Sequence, residues 1–213
     1  NSVQENADMA YEAFDLAEKY RHPVIVASDA AIGQMVEAVE LKEFKEHDIN
    51  TYDWAVRGRK DDEPKRTAEN VYYAMGADNY KEYLLKKYQE IEETEQRWES
   101  FCTEDAEIVL VAYGISSRVS KEAVKIARAK GLKLGLIRPR TLWPYPRKAF
   151  DALGDSVVGF LSVEMSILGQ MVDDIKLATD GKYPVHCYNE FANVPEPDIA
   201  IQMAEDMLKQ YKK

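Results

Sequence analysis

Short apolar runs alternate with helical segments across the second half of the chain. Residues 108–111 (IVLV) and 134–137 (LGLI) are apolar at successive positions, and 116–131 between them has the period of an amphipathic helix. A strand that is apolar on both faces needs helices on both sides. The pattern therefore predicts a three-layer αβα domain with a mostly parallel sheet. Further predicted elements are strands near 157–163 and 185–188 and a closing helix over 197–213.

The elements predicted over residues 1–41 do not make a domain of their own. We predict a helix over 4–20, a strand over 23–29 and a second helix or helical turn over 31–41, which together are too few elements to bury a core. We expect 1–41 to be the end of a truncated α/β domain whose missing part supplies the sheet. Residues 42–102 predict a charged linker and a long interdomain helix over 78–101, followed by the α/β domain at 103–213.

Composition excludes several classes of protein. The net charge of −10 disfavours nucleic acid as a partner. No apolar run approaches the roughly 20 residues that span a bilayer, and the first residues lack a signal-peptide pattern, so we expect a soluble, cytoplasmic protein. The two cysteines and three histidines (Cys102, Cys187, His22, His47 and His186) are isolated from one another, and we predict no metal site.

Ser116, Ser117 and Arg118 lie where the first apolar strand turns into a helix. A serine there can cap the helix, and the exposed N–H groups of a helix start favour an anion. Two interpretations stay open: capping alone, or a phosphate or carboxylate held by the helix start together with Arg118.

Arg138 and Arg140 begin the loop RPRTLWPYP at 138–146. Its three prolines stiffen the backbone, and rigid loops at the carboxyl edge of a parallel sheet often form binding surfaces. The arginines either contact a subunit or cofactor, or they are solvated or paired with the abundant acids of this chain.

Glu164 and Gln170 belong to an internal echo. Segments 26–41 and 161–177 each place an acid four or five residues before Gly-Gln-Met. Glu164 closes a predicted strand, so its carboxylate needs a partner group or a helix N-terminus. The echo indicates two related α/β units or a chance agreement over three residues.

Longer motifs resemble one enzyme family. VAYGISSRVSKEAVKIARAKGLKLGLIRPRTLWPYP and VVGFLSVEMSILGQMVDDIKL resemble the transketolase C-terminal-like domain in the alpha subunit of 2-oxoacid:ferredoxin oxidoreductases. NADMAYEAFDLAEKYRHPVIVASDAAIGQM resembles the end of the preceding pyrimidine-type thiamine diphosphate domain, and YQEIEETEQRWESF resembles the interdomain helix. The branched-chain 2-oxoisovalerate type is the nearest resemblance, with the 2-oxoglutarate type as an alternative.

The resemblance implies oxidative decarboxylation of a 2-oxoacid, with coenzyme A as acyl acceptor and ferredoxin as electron acceptor. Thiamine diphosphate would supply the carbanion-stabilising chemistry. In this family the beta subunit holds the diphosphate and Mg²⁺, and cysteine-rich gamma or delta subunits hold iron–sulfur clusters. We therefore expect no catalytic residue on this chain, and an assembly or edge-of-site role for Ser116, Ser117, Arg118, Arg138, Arg140, Glu164 and Gln170.

Two departures from the family pattern are evident. The chain lacks a Tyr-Pro-Ile-Thr-Pro-like substrate loop, and 189–193 (NEFAN) stands where relatives carry a glycine-rich stretch. A stand-alone α/β module that binds an anionic metabolite is the alternative from another class. A complete enzyme on this chain alone is disfavoured by the lack of a nucleophile–base pair, a Walker loop or a Gly-x-Gly-x-x-Gly motif.

Overall fold

The computed structural model describes residues 1–46, 48–52, 54–56, 58 and 71–212. Residues 59–70 of the predicted linker and the isolated His47 lie outside these ranges. The chain divides into two compact units, one formed by Asn1–Glu40 with Ile91–Lys213 and the other by Leu41–Glu90. None of the described helices combines the length and the apolar character needed to cross a membrane.

The predicted α/β alternation is confirmed in the second half of the chain. The helices are α1 (Val3–Tyr20), α2 (Ala30–Gln34), α3 (Val71–Met75), α4 (Ala77–Thr94), α5 (Gly114–Ala129), α6 (Arg147–Asp151), α7 (Met171–Ala178) and α8 (Pro197–Tyr211), with a 3-10 turn at Ile49–Thr51. The strands are β1 (Trp98–Phe101), β2 (Ile108–Val111), β3 (Leu134–Pro139), β4 (Gly159–Glu164) and β5 (Val185–Asn189).

These strands form one sheet in the order β1-β3-β2-β4-β5. The pairs β2–β3, β2–β4 and β4–β5 are parallel, and β1 alone is antiparallel to its neighbour β3. The expectation of a mostly parallel sheet is therefore confirmed. The carboxyl ends of β2, β3, β4 and β5 all lie at one edge, which is where α/β folds place binding surfaces.

Alternate residues of the central strands enter two separate cores. Ile108 and Leu110 of β2 pack with α5 and α8 on one face, whereas Val109 and Val111 pack with α6 and α7 on the other. All four side chains are fully buried. Strands that are apolar on both faces are thus covered on both faces, as the three-layer prediction requires.

The predicted helix over 78–101 is too long. Helix α4 ends at Thr94, and 98–101 forms the edge strand β1, which pairs with β3 from Trp98 opposite Pro139 to Phe101 opposite Leu136. Trp98 packs against one core and Phe101 against the other, as the two-residue period of a strand dictates. Residues 98–101 therefore form a strand because they pack on both faces of the sheet, although a helical pattern runs directly up to them.

The strand predicted over 23–29 is corrected, and of the helix or helical turn predicted over 31–41 the structure has only the short helix α2. A strand needs a neighbouring strand to complete its backbone hydrogen bonds. No described strand pairs with 23–29, and Ile25 in this segment is 88% exposed. Helix α2 ends at Gln34. Beyond it, Glu40 exchanges hydrogen bonds with the side chain of Gln4 in α1 (2.7 and 2.9 Å), which uses backbone groups that a longer helix would need.

The second unit, Leu41–Glu90, carries a group of tyrosine rings. Tyr72 lies edge-on to Tyr73 and to Tyr80, with ring centroids 5.4 and 5.7 Å apart, and Tyr80 stacks on Tyr83 at 6.4 Å. Such pairs favour packing beyond their area alone, so aromatic contacts link α3 to the start of α4.

Candidate functional site

The carboxyl edge of the sheet collects most of the predicted site residues. At the start of α5, the backbone N–H of Ile115 donates to Oδ2 of Asp29 at 2.8 Å. The other oxygen, Oδ1, accepts from Ile32 N in the first turn of α2, also at 2.8 Å. One carboxylate therefore accepts hydrogen bonds from the starts of two helices. Of the two open interpretations of the α5 start, capping is favoured, but the capping acid is Asp29 of this chain.

Gly114 allows this close approach. Its φ is +56°, and a Cβ built there would lie 2.2 Å from Asp29 Oδ2. A left-handed conformation is costly for any residue with a side chain. Glycine is therefore required at Gly114 for two independent reasons, conformation and space.

Ser116 and Ser117 do not cap α5 as predicted. The N-cap residue is Tyr113, which makes no side-chain capping bond, and both serines lie buried inside the first turn. Ser117 Oγ donates to Gly114 O at 2.7 Å. The capping position falls earlier than predicted because the positive φ of Gly114 lets the helix begin directly after β2 and Asp29 supplies the acceptor.

Arg118 is paired within the chain. Its Nη1 donates to Glu37 Oε1 at 2.8 Å and lies 3.1 Å from Met35 Sδ. Glu37 also accepts from Val3 N at the start of α1 at 3.0 Å. This backbone N–H and, secondly, Arg118 hold the pKa of Glu37 below its ordinary value.

Arg138 lies at the centre of a buried ionic cluster. Its Nη1 contacts both carboxylate oxygens of Glu5 in α1 (3.0 and 2.8 Å), and its Nε donates to Glu99 Oε2 in β1 at 3.0 Å. Arg140 Nε is 2.8 Å from Glu5 Oε1. The Arg138 side chain is only 9% exposed. Of the two interpretations of this loop, the contacts favour arginines paired with acids of the chain.

Glu99 makes the cluster sensitive to acid. Burial by itself raises the pKa of Glu99, but hydrogen bonds from Lys121 and Arg138 and their positive charges outweigh burial and hold the pKa below its ordinary value. Since the folded-state pKa lies below the unfolded one, the stabilisation is complete above about pH 4.3 and is lost as the pH falls through the folded-state value.

We therefore expect Glu99→Gln to lower stability at pH 7 and to reduce the loss of stability on acidification. Urea unfolding measured at intervals from pH 7 to pH 3 gives this slope directly. The control is Glu122→Gln, which removes an exposed carboxylate that accepts from Lys125. An acid dependence equal in Glu99→Gln and the parent protein would contradict the assignment.

Glu164 is buried at the end of β4 and anchors the start of α7. Its carboxylate accepts from Met171 N (3.0 and 3.1 Å) and from the hydroxyls of Ser162 (2.6 Å) and Ser166 (3.2 Å). Of the two partners that we expected for Glu164, a partner group or a helix N-terminus, the structure has the helix N-terminus, and it lies within the domain. Burial, and secondly the charge of Glu164, raises the pKa of Cys187 to about 11, so this cysteine is a neutral thiol.

Gln170 differs from its predicted companions. It is the N-cap residue of α7, is exposed and makes no side-chain capping bond. Asp29 and Glu164, the two acids of the internal echo, have the same structural role. Asp29 accepts a backbone N–H at the start of α2, and Glu164 accepts one at the start of α7.

Sequence reasoning missed the acidic partners Glu5, Glu37, Glu99 and Asp29. Asp29 was part of the internal echo, and a search for an acidic partner of each arginine would have included Glu5, Glu37 and Glu99 as candidates. The residues described at this edge do not fit a diphosphate group, because the α5 start donates to Asp29 and the guanidinium groups of Arg118, Arg138 and Arg140 contact carboxylates of this chain. The described residues also contain no group of three or more His, Cys, Asp or Glu side chains that could hold a metal ion.

Two family models match successive parts of the chain. The model described as pyruvate flavodoxin/ferredoxin oxidoreductase, thiamine diphosphate-binding, matches residues 1–101, and that of pyruvate:ferredoxin oxidoreductase core domain II matches 106–203.

Similar proteins belong to the same class. Ketoisovalerate oxidoreductase subunit VorB of Methanothermobacter marburgensis is 48% identical over 185 residues, which cover 84% of this chain and 51% of that subunit. The 2-oxoglutarate synthase subunit KorA of the same organism is 30% identical over 213 residues, 85% of this chain and 55% of the subunit. The chain thus spans about half the length of the relatives it matches.

A solved structure shares the fold. The 2-oxoglutarate:ferredoxin oxidoreductase from Magnetococcus marinus, solved with 2-oxoglutarate, coenzyme A and succinyl-CoA bound, matches with a TM-score of 0.54 and 20% identity, covering 62% of this chain and 24% of that one. The 48% identity over 84% of this chain, in agreement with the two family models, shows that the chain belongs to the 2-oxoacid:ferredoxin oxidoreductase family.

Proposed function

We propose that this chain is part of the alpha subunit of a thiamine diphosphate-dependent oxidoreductase that acts on 2-oxoisovalerate. The reaction joins the acyl group left after decarboxylation to coenzyme A, releases CO₂ and passes an electron pair to ferredoxin. The observation that carries the proposal is the 48% identity to a ketoisovalerate oxidoreductase subunit, against 30% to a 2-oxoglutarate synthase subunit.

Within that enzyme, this part serves assembly and borders the active site. Its arginines and its α5 start are satisfied by Glu5, Glu37, Glu99 and Asp29, which supports a structural role for them. We propose that thiamine diphosphate and Mg²⁺ are held with the beta subunit, and iron–sulfur clusters by ferredoxin-like gamma or delta subunits. Thiamine diphosphate, when bound, supplies the electron sink for decarboxylation.

The proposed domain division follows the family matches. The thiamine diphosphate-binding model ends at residue 101 and the core domain II model begins at 106. This supports a boundary near residue 102, before the transketolase C-terminal-like domain at 103–213. We further propose that 1–41 is the end of the first domain and that 42–102 is a linking region. We propose a cytoplasmic location, where reduced ferredoxin is used.

The test is an assay of the assembled enzyme. The full-length subunit, coexpressed with its candidate beta and ferredoxin-like subunits, is assayed for viologen reduction with 2-oxoisovalerate, 2-oxoglutarate and pyruvate, with and without coenzyme A. We expect the highest kcat/KM for 2-oxoisovalerate and no sustained turnover without coenzyme A. A preference for 2-oxoglutarate would replace the substrate assignment.

A stand-alone anion-binding module predicts a different result. Such a module would bind a carboxylate or phosphate metabolite without any partner, and calorimetry on the purified full-length chain would detect it. The internal pairing of Arg118 and Arg138 with carboxylates speaks against this alternative.

A further inference from the structure

Segment 1–40 lies against the sheet-bearing part of its unit, 91–213, without entering the apolar cores of the sheet. Neither core contains a residue from this segment, and within the segment only Tyr20 and Ile32 are buried. Even Tyr20 makes a polar contact, since its Oη donates to Glu95 Oε1 at 2.6 Å. With so little apolar burial, the interface depends mainly on charged and polar groups.

The charges that cross this interface recur every two turns along α1. Glu5, Glu12 and Lys19 are seven positions apart, so they lie on one face of the helix. Each contacts an opposite charge in the sheet-bearing part: Glu5 contacts Arg138 at 2.8 Å, Glu12 contacts Arg97 at 2.9 Å and Lys19 contacts Glu95 at 2.9 Å.

The order of the signs favours one direction and one register of α1. From its start to its end, the charged face of the helix is negative, negative and positive, opposite groups that are positive, positive and negative. A shift by two turns would bring Glu12 to Glu95, and a reversed helix would bring Lys19 to Arg138. Both would be contacts between like charges, which are unfavourable.

Salt acts unequally on the three pairs. The side chains of Glu12 and Arg97 are 36% and 34% exposed and that of Lys19 is 52% exposed, so dissolved ions screen their attraction. Glu5 and Arg138 are only 12% and 9% exposed, and buried pairs are screened much less. Rising ionic strength therefore weakens the later part of α1 while the Glu5 end stays bound.

We propose that the pairs Glu12–Arg97 and Lys19–Glu95 form an ionic clamp, which opens segment 1–40 from the sheet-bearing part as ionic strength rises. The segment lies in the region that the thiamine diphosphate-binding model matches, whereas the parallel strands lie in the core domain II match. The clamp is thus a conformational device between two regions of the family. It requires no particular substrate, so its failure and that of the proposed function are separate results.

The Ile115 amide reports the opening of the clamp. It donates to Asp29 Oδ2 of segment 1–40, so opening removes its acceptor and speeds its hydrogen exchange. The Leu110 amide, in the buried strand β2, reports unfolding of the whole domain instead.

The test measures the exchange of both amides by mass spectrometry on the full-length subunit at about 0.01 M and about 1 M NaCl, between which the Debye length falls from about 30 to about 3 Å. We expect Ile115 exchange to rise at least about threefold with salt, because two exposed ion pairs are screened. Leu110 exchange should not change.

A double variant removes the two exposed pairs. We expect Glu12→Gln with Lys19→Gln to speed Ile115 exchange at low salt at least about threefold and to reduce its response to salt. The matched control is Glu122→Gln with Lys209→Gln. It removes one charge of each sign from exposed pairs that form within α5 and within α8, and it should behave as the parent protein does.

Three results would overturn the proposal. Ile115 exchange that is independent of salt in the parent protein would show that ion pairs do not control the opening. An equal rise in Leu110 and Ile115 exchange would show that the domain unfolds as a whole and that no clamp opens. Equal effects of the two double variants would show that the change in surface charge, and not the loss of these pairs, is responsible.

Discussion

We expect replacement of Arg138 by methionine to lower the free energy of unfolding by at most about 3–5 kcal/mol, the cost of leaving a buried charge without its partner. The substitution keeps the aliphatic bulk but leaves Glu5 and Glu99 without the guanidinium that joins them. Glu5 retains Arg140 at 2.8 Å, which limits the loss. Urea unfolding followed by circular dichroism at pH 7 measures the change.

Arg118→Met provides the matched control. Arg118 also bonds a glutamate at 2.8 Å, but its side chain is 43% exposed, so the expected loss is below about 1 kcal/mol. Equal losses in the two variants would show that burial does not set the strength of the Arg138 cluster. A double-mutant cycle of Arg138→Met with Glu99→Gln then isolates the coupling between β3 and β1.

The second large effect is expected at Gly114. Gly114→Ala forces a side chain into a left-handed conformation, which costs about 1–3 kcal/mol. Its Cβ also collides with Asp29 Oδ2 and so disrupts a capping interaction of about 0.5–2 kcal/mol. We expect a greater loss of stability than either effect alone would produce, measured by the same unfolding experiment.

Two other glycines separate the contributions. Gly131 has a φ of +86° but nothing within 4 Å of a built Cβ, so Gly131→Ala reports the conformational cost alone. Gly33, inside α2, has neither a positive φ nor a close neighbour, and Gly33→Ala should be neutral or slightly stabilising. Equal losses at Gly114 and Gly131 would mean that the contact with Asp29 contributes nothing.

The core of the fold could be predicted from the sequence because its signals are local. Ile108–Val111 and Leu134–Pro139 are apolar at successive positions, and such runs require cover on both faces wherever they occur. Strand β1 was missed because its four residues follow a long helical pattern directly, and its identity depends on pairing with β3.

The candidate site could be predicted only in part. The sequence singled out Arg138 and Glu164 because a rigid arginine loop and an acid at a strand end are visible locally. Their partners differ in sequence separation. Glu164 bonds Met171, seven positions away, whereas Arg138 bonds Glu5, 133 positions away. Pairing over that distance is set by the tertiary fold, and periodicity carries no information about it.

The carboxylate of Asp29 accepts hydrogen bonds from both α2 and α5, and this limits where the chain can be truncated. An expression fragment that begins at residue 103 would keep every parallel strand of the sheet, yet it would lose Asp29, Glu37 and the two acids that neutralise Arg138. The α5 start would then lose its acceptor, and Arg138 would lose both of its carboxylate partners. We therefore expect a fragment of this unit that lacks residues 1–40 to be less stable than one that keeps them.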